Sequence, residues 1–596
     1  MTNIWGATSS SVSNSTLGVE GIREYRVITN SFSAEYGMTM GSQMIIVSKG
    51  GTNSFHGSFF EYLRNSALDA RNFFDYKSAA TQRRLPAFTR NNFGAAFGGP
   101  IKNDKTFFHG VFEGVRERKG LTLINNVIPA SAKVDGGLVP VIAPVIKPLL
   151  ALYPDPNLPN NRFTFPFRQP ATDNYGQMRV DQNFSDKDSL FGRYTIQDTQ
   201  LTMTDPFPQF AVNQASRSQF ATLSENRVFS LTLLNTFRFS FSRTKLDFAD
   251  IPGEPSGPQL SLVPGKPVGQ IQIGGVTTNG SNLTAPFLRK QNIFTYSDDI
   301  FYTRGRHSLK FGALINHYQQ FIQSTGYAKG QIFFPNITSF LLAQSSLITQ
   351  LTTGSLLERT FHFNTLGFYA QDDLRVRSNL TLNLGLRYEF NTVPQEQHGQ
   401  WSALRDVQRD AQFTVNPAFY LNPSLKNFSP RFGFAWDVKG NGKTAVRGGF
   451  GLLYDVGQVG HFITQSLQAN PPFSGRLTTA NPPVLTFPLT FPPGAPSVSP
   501  RVIDWHMRQP HMLTYNLTVE RQLPFDMALT LAYAGSRGLN LTQYNEGNPT
   551  VPQVLPDGRQ FWPVGAPRTN PNWGTMDLYA ANTAGIVGCS SGCSSA

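Results

Sequence analysis

The chain has 596 residues, a formal net charge of +13 at pH 7, 15% charged residues and 40% hydrophobic residues. Its Lys and Arg residues are scattered through strands and turns, which argues against the nucleic-acid-binding classes, where basic residues concentrate on one face or motif. No apolar run reaches the roughly 18 residues of a membrane-spanning helix, and two Cys are too few for a cysteine metal site.

The first predicted elements lie between Val19 and Phe60. A strand is predicted at Ile22–Thr29, followed by glycine turns at Gly37 and Gly41 and a second strand at Gln43–Ser48. A further glycine turn then leads into a longer alternating segment. This pattern predicts a small strand pair in front of a large β-domain.

Seven pairs of alternating segments follow, and each pair is joined by a short turn. The turns at 99–105, 185–188 and 439–442 are rich in Gly, Asn or Asp, which is a hairpin signal. The pairs are Arg90–Gly99 with Thr106–Arg116, Asn174–Phe184 with Ser189–Asp198, Gln219–Leu231 with Asn235–Thr244, Asn292–Phe301 with His307–Gln319, Thr365–Val376 with Asn379–Phe390, Pro430–Val438 with Lys443–Tyr454, and Met512–Gln522 with Met527–Ser536.

Long connections separate these pairs, at residues 117–173, 245–291, 320–364, 391–429 and 455–511. Short turns on one side and long loops on the other are typical of outer-membrane barrels. The segment Val139–Tyr153, which contains three prolines and a lysine, is predicted to be loop. The sequence therefore predicts an all-β, antiparallel transmembrane β-barrel.

The segment Leu380–Phe390 shows the alternation most clearly, because leucines and aromatics occupy one face and polar residues the other. A tilted strand of this length spans a bilayer, which takes about 9–11 residues. The candidate charges on the watery inner face are Arg387 and Glu389, together with Arg238 between two phenylalanines. We expect these charges to pair with other charges across a water-filled interior rather than to contact a substrate.

The pattern decays after about Asp577, where a Gly/Ser-rich tail carries Cys589 and Cys593. We therefore predict three parts: residues 1–56, the carboxy-terminal part of a plug; residues 57–577, a partial barrel; and residues 578–596, an off-pattern tail. The start of the chain lacks the charged and apolar regions of a signal peptide, which a secreted barrel needs. About 15 strands are counted, so we expect an internal piece of a longer protein.

The front of the chain resembles the end of the plug domain of TonB-dependent outer-membrane receptors. Val19–Ile22 is similar to that family's Val-Glu-x-Ile segment, Ser33–Gly37 to its Ser-Ala-x-Tyr-Gly segment, and Gly41–Lys49 to the plug strand that follows. The resemblance assigns a structural or gating role to the plug-motif residues Glu20, Ile22, Ser33, Ala34, Tyr36, Gly37 and Gly41.

The chain is most similar to the Oar-like subgroup of this family, whose members carry a carboxypeptidase-regulatory-like domain at the front. The segments that carry this similarity are Phe32–Gly37, Ser48–Gly57, Leu63–Asp75, Asn91–Ile101, Asp104–Phe108 and Phe428–Trp436. The resemblance implies a barrel of the 22-stranded type. The chain also departs from the family pattern. Arg26-Val27-Ile28 stands where the ordinary plug has an Arg-Gly-Pro corner, and the family's energy-coupling box has no counterpart in this sequence.

The resemblance implies uptake of a scarce ligand that binds in outside loops such as 117–173 or 455–511, with the plug moved by the TonB complex. The expected partners are outer-membrane lipid and lipopolysaccharide, the TonB complex and an unknown ligand, without nucleic acid, and the expected location is the outer membrane of a Gram-negative-type bacterium. No catalytic motif, cofactor motif or metal-ligand spacing is found; His506 and His511 are too few to make a site. The alternatives are an adhesin or passive pore without energised transport, and a soluble all-β binding protein with apolar faces turned inward.

Overall fold

The computed structural model describes residues 18–29, 33–69, 87–456, 463, 467–482, 484–490, 497–563 and 565–581. The strands of the first half are β1 (Ile22–Ile28), β2 (Gln43–Ser48), β3 (His56–Asn65), β4 (Phe88–Lys102), β5 (Thr106–Asn126), β6 (Arg162–Ser185), β7 (Asp188–Thr204), β8 (Ala211–Ser230), β9 (Leu233–Asp250), β10 (Gln270–Ile273), β11 (Phe287–Arg304), β12 (His307–Ser324), β13 (Gln331–Phe334), β14 (Leu347–Leu351) and β15 (Glu358–Arg377).

The strands of the second half are β16 (Leu380–Asn391), β17 (Gln395–Glu396), β18 (Ser402–Ala403), β19 (Thr414–Val415), β20 (Phe428–Asp437), β21 (Thr444–Tyr454), β22 (Arg476–Ala480), β23 (Ser497–Val498), β24 (Arg501–Ile503), β25 (His511–Gln522), β26 (Ala528–Leu539), β27 (Thr542–Glu546), β28 (Gln553–Val554), β29 (Gln560–Phe561) and β30 (Asp577–Ala581). Short helices are α1 (Lys147–Leu150) and α2 (Ile337–Leu341), with 3₁₀ turns at Ala130–Lys133 and Pro423–Lys426. No helix in these ranges is long and apolar enough to cross a membrane.

Fifteen strands form one large antiparallel sheet, which we call the wall. Their order is β3-β4-β5-β6-β7-β8-β9-β11-β12-β15-β16-β20-β21-β25-β26, with β17 pairing additionally against β15. All seven predicted hairpins are present, and the predicted number of about fifteen strands is confirmed. Within each of the seven hairpins, neighbours in sequence are neighbours in space, because the short turn fixes the pairing locally.

The two faces of the wall have opposite character. On β16, the outward Leu384 and Leu386 are 40% and 48% exposed, whereas the inward Arg387 and Glu389 are 1% and 0% exposed. A soluble protein avoids such a surface, because exposed apolar area is unfavourable in water. The soluble alternative required apolar faces turned inward, and the wall shows the reverse.

The long connections are shorter than predicted, because the strands continue past the predicted ends. The connection predicted at 117–173 is 127–161, since β5 and β6 pair as far as Asn126 and Arg162. The others run over 251–286, 325–357, 392–427 and 455–510. Near the long loops, polar and apolar residues mix on both faces of a strand, as Gln320 and Ile322 do on β12, so two-face alternation ends there and the sequence pattern does not reveal the pairing.

The long connections fold into a cap with its own hydrophobic core. Ile142, Phe210, Val268, Phe340 and Leu489, each from a different connection, belong to one buried cluster. A five-stranded sheet in the order β10-β13-β14-β22-β23 joins three of these connections. The cap is therefore a single folded layer at the long-loop end of the wall.

A second buried cluster anchors the cap to the top of the wall. Ile322 and Phe361 of the wall pack with Trp401, Phe419 and other residues from later connections. Val139–Tyr153, which was predicted to be loop, contains α1 and contributes buried apolar side chains to the first cluster. The apolar residues between its prolines pack into this core, although their spacing in the sequence shows no helix or strand period.

Candidate functional site

The candidate site is the contact between the inner face of the wall and the front segment, of which the structure describes residues 18–29 and 33–49. The predicted strand pair is present: β1 and β2 are antiparallel, with Ile22 opposite Ser48 and Arg26 opposite Ile45. Three attachments join this segment to inward-facing side chains of the wall.

The first attachment is built around Glu20. Its backbone N–H donates to Glu113 Oε1 at 2.8 Å, and its own carboxylate accepts from Lys49 Nζ at 3.1 Å and from Ser58 Oγ at 3.0 Å. The hydrogen bond from Lys49 is the main reason that the pKa of Glu20 is lowered. Glu20 is therefore ionised at neutral pH and links the segment to β3 and β5.

The second attachment is made by Arg179 on β6. Its Nη1 donates to Ser48 Oγ at 2.8 Å and to the Ser48 carbonyl at 3.3 Å. Asp181 holds the guanidinium through contacts of 2.6 and 3.0 Å. A guanidinium fixed in this way presents its remaining N–H groups in a set direction, which favours binding of a backbone carbonyl.

The third attachment is a loop, Ser33–Met38, which we call the docking loop. The Ala34 N–H donates to Gln371 Oε1 at 3.0 Å, and the Met38 N–H donates to Glu389 Oε2 at 2.8 Å. Lys310 Nζ lies 3.4 Å from Glu35 Oε2. The loop thus contacts β12, β15 and β16, while the other attachments lie on β3, β5 and β6.

Arg387 and Glu389 form the centre of the third attachment. Arg387 Nε donates to Glu389 Oε2 at 2.6 Å, and Arg387 Nη1 donates to the carbonyls of Ala34 and Glu35 at 3.3 and 3.4 Å. Both charges are fully buried and both come from the same strand. A buried pair is stabilised when its members are matched to each other and hydrogen-bonded, and here the docking loop adds a hydrogen bond to Glu389 and two to Arg387.

Glycines at the contact, which have no side chain, allow the docking loop and the wall to approach this closely. A Cβ at Gly37 would lie 2.0 Å from Arg387 Nε, and a Cβ at Gly385 would lie 2.8 Å from the Ala34 Cβ. Gly367 on β15 likewise faces Arg387 Nη2, which a Cβ would approach to 2.3 Å. Glycines on both partners therefore let the loop backbone reach the buried pair.

Arg238 occupies a different part of the inner face. It is ion-paired with Asp299, which also accepts from the Tyr369 hydroxyl at 2.7 Å. Arg238 Nε donates to Ser297 Oγ at 3.2 Å. The Arg238 side chain is 45% exposed. Burial and a hydrogen bond with Glu35 raise the pKa of Tyr36, and the positive charge of Arg238 acts in the opposite direction.

The remaining plug-motif residues have smaller contacts. Ile22 begins β1 and is half-buried. The Ser33 carbonyl accepts from the Tyr36 N–H at 3.1 Å, and the exposed Gly41 donates its N–H to Thr39 Oγ1 at 3.2 Å. A gating role for the plug motif stays a prediction.

Several wall residues of the site were missed by sequence reasoning, namely Gln371, Lys310, Arg179 and Glu113. All four stand at inward positions of predicted strands, so strand alternation identifies them as inward polar residues. Nothing in the sequence pairs them with the front segment, since Gln371 lies 337 residues from Ala34.

A cluster of charges joins three connections at the base of the cap. Lys329 Nζ lies 2.6 Å from Asp250 Oδ2 and donates to the Asn282 carbonyl at 3.2 Å, and Asn282 Nδ2 donates to Asp205 Oδ1 at 3.1 Å. Glu254 is buried beside them. Three carboxylates therefore surround one ammonium. Within the described ranges, no group of three or more His, Cys, Asp or Glu is arranged to hold a metal ion.

The cluster makes cap stability depend on pH. Burial raises the pKa of Asp205 and that of Glu254 above the ordinary carboxyl values near about 4. At pH values between the ordinary pKa and the raised pKa, the folded cap therefore binds more protons than the unfolded chain. Stability from these groups must rise as pH falls from 7 towards the ordinary carboxyl values. Hydrogen exchange of residues 251–286, corrected for the intrinsic pH effect, should show stronger protection at the lower pH; weaker protection there would contradict this assignment.

Comparison with known proteins identifies similar molecules. A family model described as "Outer membrane beta barrel domain" matches residues 47–585. Over 102 residues the chain is 29% identical to the TonB-dependent transporter Oar of Myxococcus xanthus, an alignment that covers 17% of this chain and 10% of that protein.

Solved structures give the same picture of the fold. The outer membrane transporter YddB from Escherichia coli superposes with a TM-score of 0.57 and 10% identity, covering 95% of this chain and 60% of that one. The siderophore receptor PirA from Acinetobacter baumannii has a TM-score of 0.49 and 10% identity, with 94% and 62% covered. The chain thus spans about 60% of these transporters. The resemblance to TonB-dependent receptors of the Oar kind is confirmed.

Proposed function

Since the chain belongs to the outer membrane β-barrel domain family, we propose that it forms the wall and part of the plug of a TonB-dependent receptor that takes up a scarce ligand. The family sets its location as the outer membrane of a Gram-negative-type bacterium. TonB, the ligand, outer-membrane lipid and lipopolysaccharide are its proposed partners.

The observation that carries the proposal is the way the front segment crosses the inside of the wall. One set of attachments lies on β3, β5 and β6 and the other on β12, β15 and β16, with four strands, β11, β9, β8 and β7, between them. A sheet must curve around a segment that it contacts on both sides. The described residues of the front segment, 18–29 and 33–49, therefore obstruct the interior, which a passive pore or an adhesin does not need.

The third attachment is suited to release. Arg387 and Glu389 are on the same strand, so departure of the docking loop leaves the ion pair joined. Release breaks hydrogen bonds from the pair to loop backbone, each worth about 1 kcal/mol net, and rather more where a charge takes part. A modest pull can thus free the loop while the fully buried pair stays joined; the charges that it separates are the partly exposed Lys310 and Glu35.

Ligand capture is assigned to the cap. Its connections close over the long-loop end of the wall, so a ligand arriving from outside meets them first. The ligand itself stays open, because related folds serve many substrates. Growth on limiting iron chelates, cobalamin or saccharides, compared in cells with and without TonB, tests this part; uptake that is unaffected by loss of TonB would contradict it.

Conductance tests the obstruction directly. In planar bilayers we expect the wild-type protein to pass little current, and a variant lacking residues 18–49 to give steady open channels, because the segment fills the interior. A variant lacking the exposed cap tip 134–138 serves as a control for deletion itself. Equal conductance of the wild type and the 18–49 deletion would instead indicate a passive pore.

A further inference from the structure

Four basic residues lie together on the outer face of the wall, and we call them the basic row: Arg217, Arg243, Lys245 and Lys290. Arg217 of β8 is the direct cross-strand partner of Lys245 of β9, and Lys245 is the direct partner of Lys290 of β11. Arg243 lies two residues from Lys245 on the same face. Like charges directly opposite each other destabilise a sheet, so this arrangement needs a compensating anion.

The row points away from the interior. The residues that alternate with it are buried on the inner face, including Ser218 at 0%, Leu246 at 7% and Arg289 at 5% exposure. The side chains of Arg217 and Lys245 are 55% and 40% exposed. The cations therefore face whatever surrounds the wall.

Carboxylates neutralise only part of the row. Arg217 lies 3.5 Å from Asp198, and Lys245 lies 2.9 Å from Asp247. Within the part of the chain that the structure describes, Arg243 and Lys290 have no ion pair; the Lys290 ammonium stands 5.4 Å from the Phe321 ring centroid. Two positive charges thus remain available to an external anion.

The height of the row corresponds to the edge of a bilayer. A tilted strand crosses the hydrocarbon layer in about 9–11 residues. Counted from the short turns, Leu233–Phe241 of β9 and Arg304–Phe294 of β11 supply nine and eleven residues. The aromatic pair at this level, Phe241 and Phe294, has ring centroids 5.1 Å apart. The next outward positions towards the long loops are Arg243 on β9 and Asn292 on β11, and Lys245 and Lys290 of the row stand one outward position further.

We propose that the basic row binds the phosphate groups of lipid A in the outer leaflet. The long-loop end faces outside in the proposed orientation, and that leaflet presents phosphates at the depth of the row. Guanidinium and ammonium groups bind phosphate well, Arg through paired N–H groups. The inference depends on the outer-membrane orientation of the wall and is independent of ligand uptake.

Binding of lipid A to the purified protein in neutral detergent tests the proposal. Each cation near an anionic lipid surface contributes about fivefold to binding, so R243Q/K290Q should weaken binding of bis-phosphorylated lipid A roughly 30-fold. Dephosphorylated lipid A should bind weakly to wild type and variant alike. Heat-modifiable gel migration verifies that each variant is folded. This measurement does not depend on transport activity.

The matched control is R227Q/R304Q, which removes two charges at the short-turn ends of β8 and β11. Lipid A binding should be retained in this variant. Equal loss in both double variants, or equal binding of dephosphorylated lipid A, would overturn the proposal. Equal affinity for phosphatidylglycerol would also overturn it, because the row would then attract any anionic lipid. Failure of TonB-dependent uptake with lipid A binding intact would count only against the proposed function.

Discussion

Replacing Arg387 by methionine is expected to release the docking loop from the wall. The substitution leaves the Glu389 carboxylate, 0% exposed, without its cation and removes the donor to the Ala34 and Glu35 carbonyls. Breaking a buried pair from one side costs about 3–5 kcal/mol, which corresponds to at least about a hundredfold change in an equilibrium constant. Hydrogen exchange of the Ala34 and Met38 amides, which donate to Gln371 and Glu389, should accelerate by that factor.

Two further variants separate this effect from general damage. R193M makes the same change at an inward arginine of β7, beside Thr222, and should leave exchange of the docking loop unchanged. R387M/E389L removes both charges, so the wall should regain stability while the loop stays free, since replacing both members of a buried pair is often neutral. Slow exchange of Met38 in R387M would show that Arg387 does not hold the loop.

Replacing Lys329 by methionine is expected to loosen the base of the cap. The Lys329 side chain is 5% exposed, and it is the cation that faces the carboxylates of Asp250, Asp205 and Glu254. Its loss leaves these buried groups to repel one another, at a cost of about 3–5 kcal/mol for the broken pair. Protease cleavage within residues 251–286 and 325–357 should increase strongly at pH 7.

The same variant carries its own test of mechanism. Because burial raises the pKa values of Asp205 and Glu254, acidification from pH 7 towards the ordinary carboxyl range should increase their protonated fraction and reduce the repulsion, so K329M should be less defective at the lower pH than at pH 7. K266M, at an exposed lysine of the neighbouring connection 251–286, should behave like wild type at pH 7 and at the lower pH. A K329M defect that does not change with pH would point to lost packing as its cause.

Local signals made the wall predictable. The hairpin between β8 and β9 could be read from the alternation of Phe237, Phe239 and Phe241 on either side of Arg238, and the others from compact polar turns. Each hairpin is closed by neighbours in sequence, so a pattern over about twenty residues is enough to identify it. The tops of the strands were missed because polar and apolar residues mix on both faces there.

The candidate site could be predicted only in part. Arg387 and Glu389 were identified as inward charges from strand alternation, but their contact with Ala34 and Met38 joins residues about 350 positions apart. Such contacts arise from tertiary packing, which no local period encodes. The cap core was missed for the same reason, since Ile142 and Phe340 lie in segments without regular alternation. Cys589 and Cys593, predicted to be in an off-pattern tail, lie outside the described residues, and the predicted domain limits stay predictions.

The shared core of the cap has a consequence for how such receptors change. Ile142, Phe210, Val268, Phe340 and Leu489 come from five different connections yet shield one another from water. Exchanging one connection with that of a relative would strip apolar cover from the other four. New ligand specificity therefore has to come from side chains at the cap surface or from coordinated replacement of the whole layer. Chimaeras in which a single loop is grafted should fold poorly and aggregate.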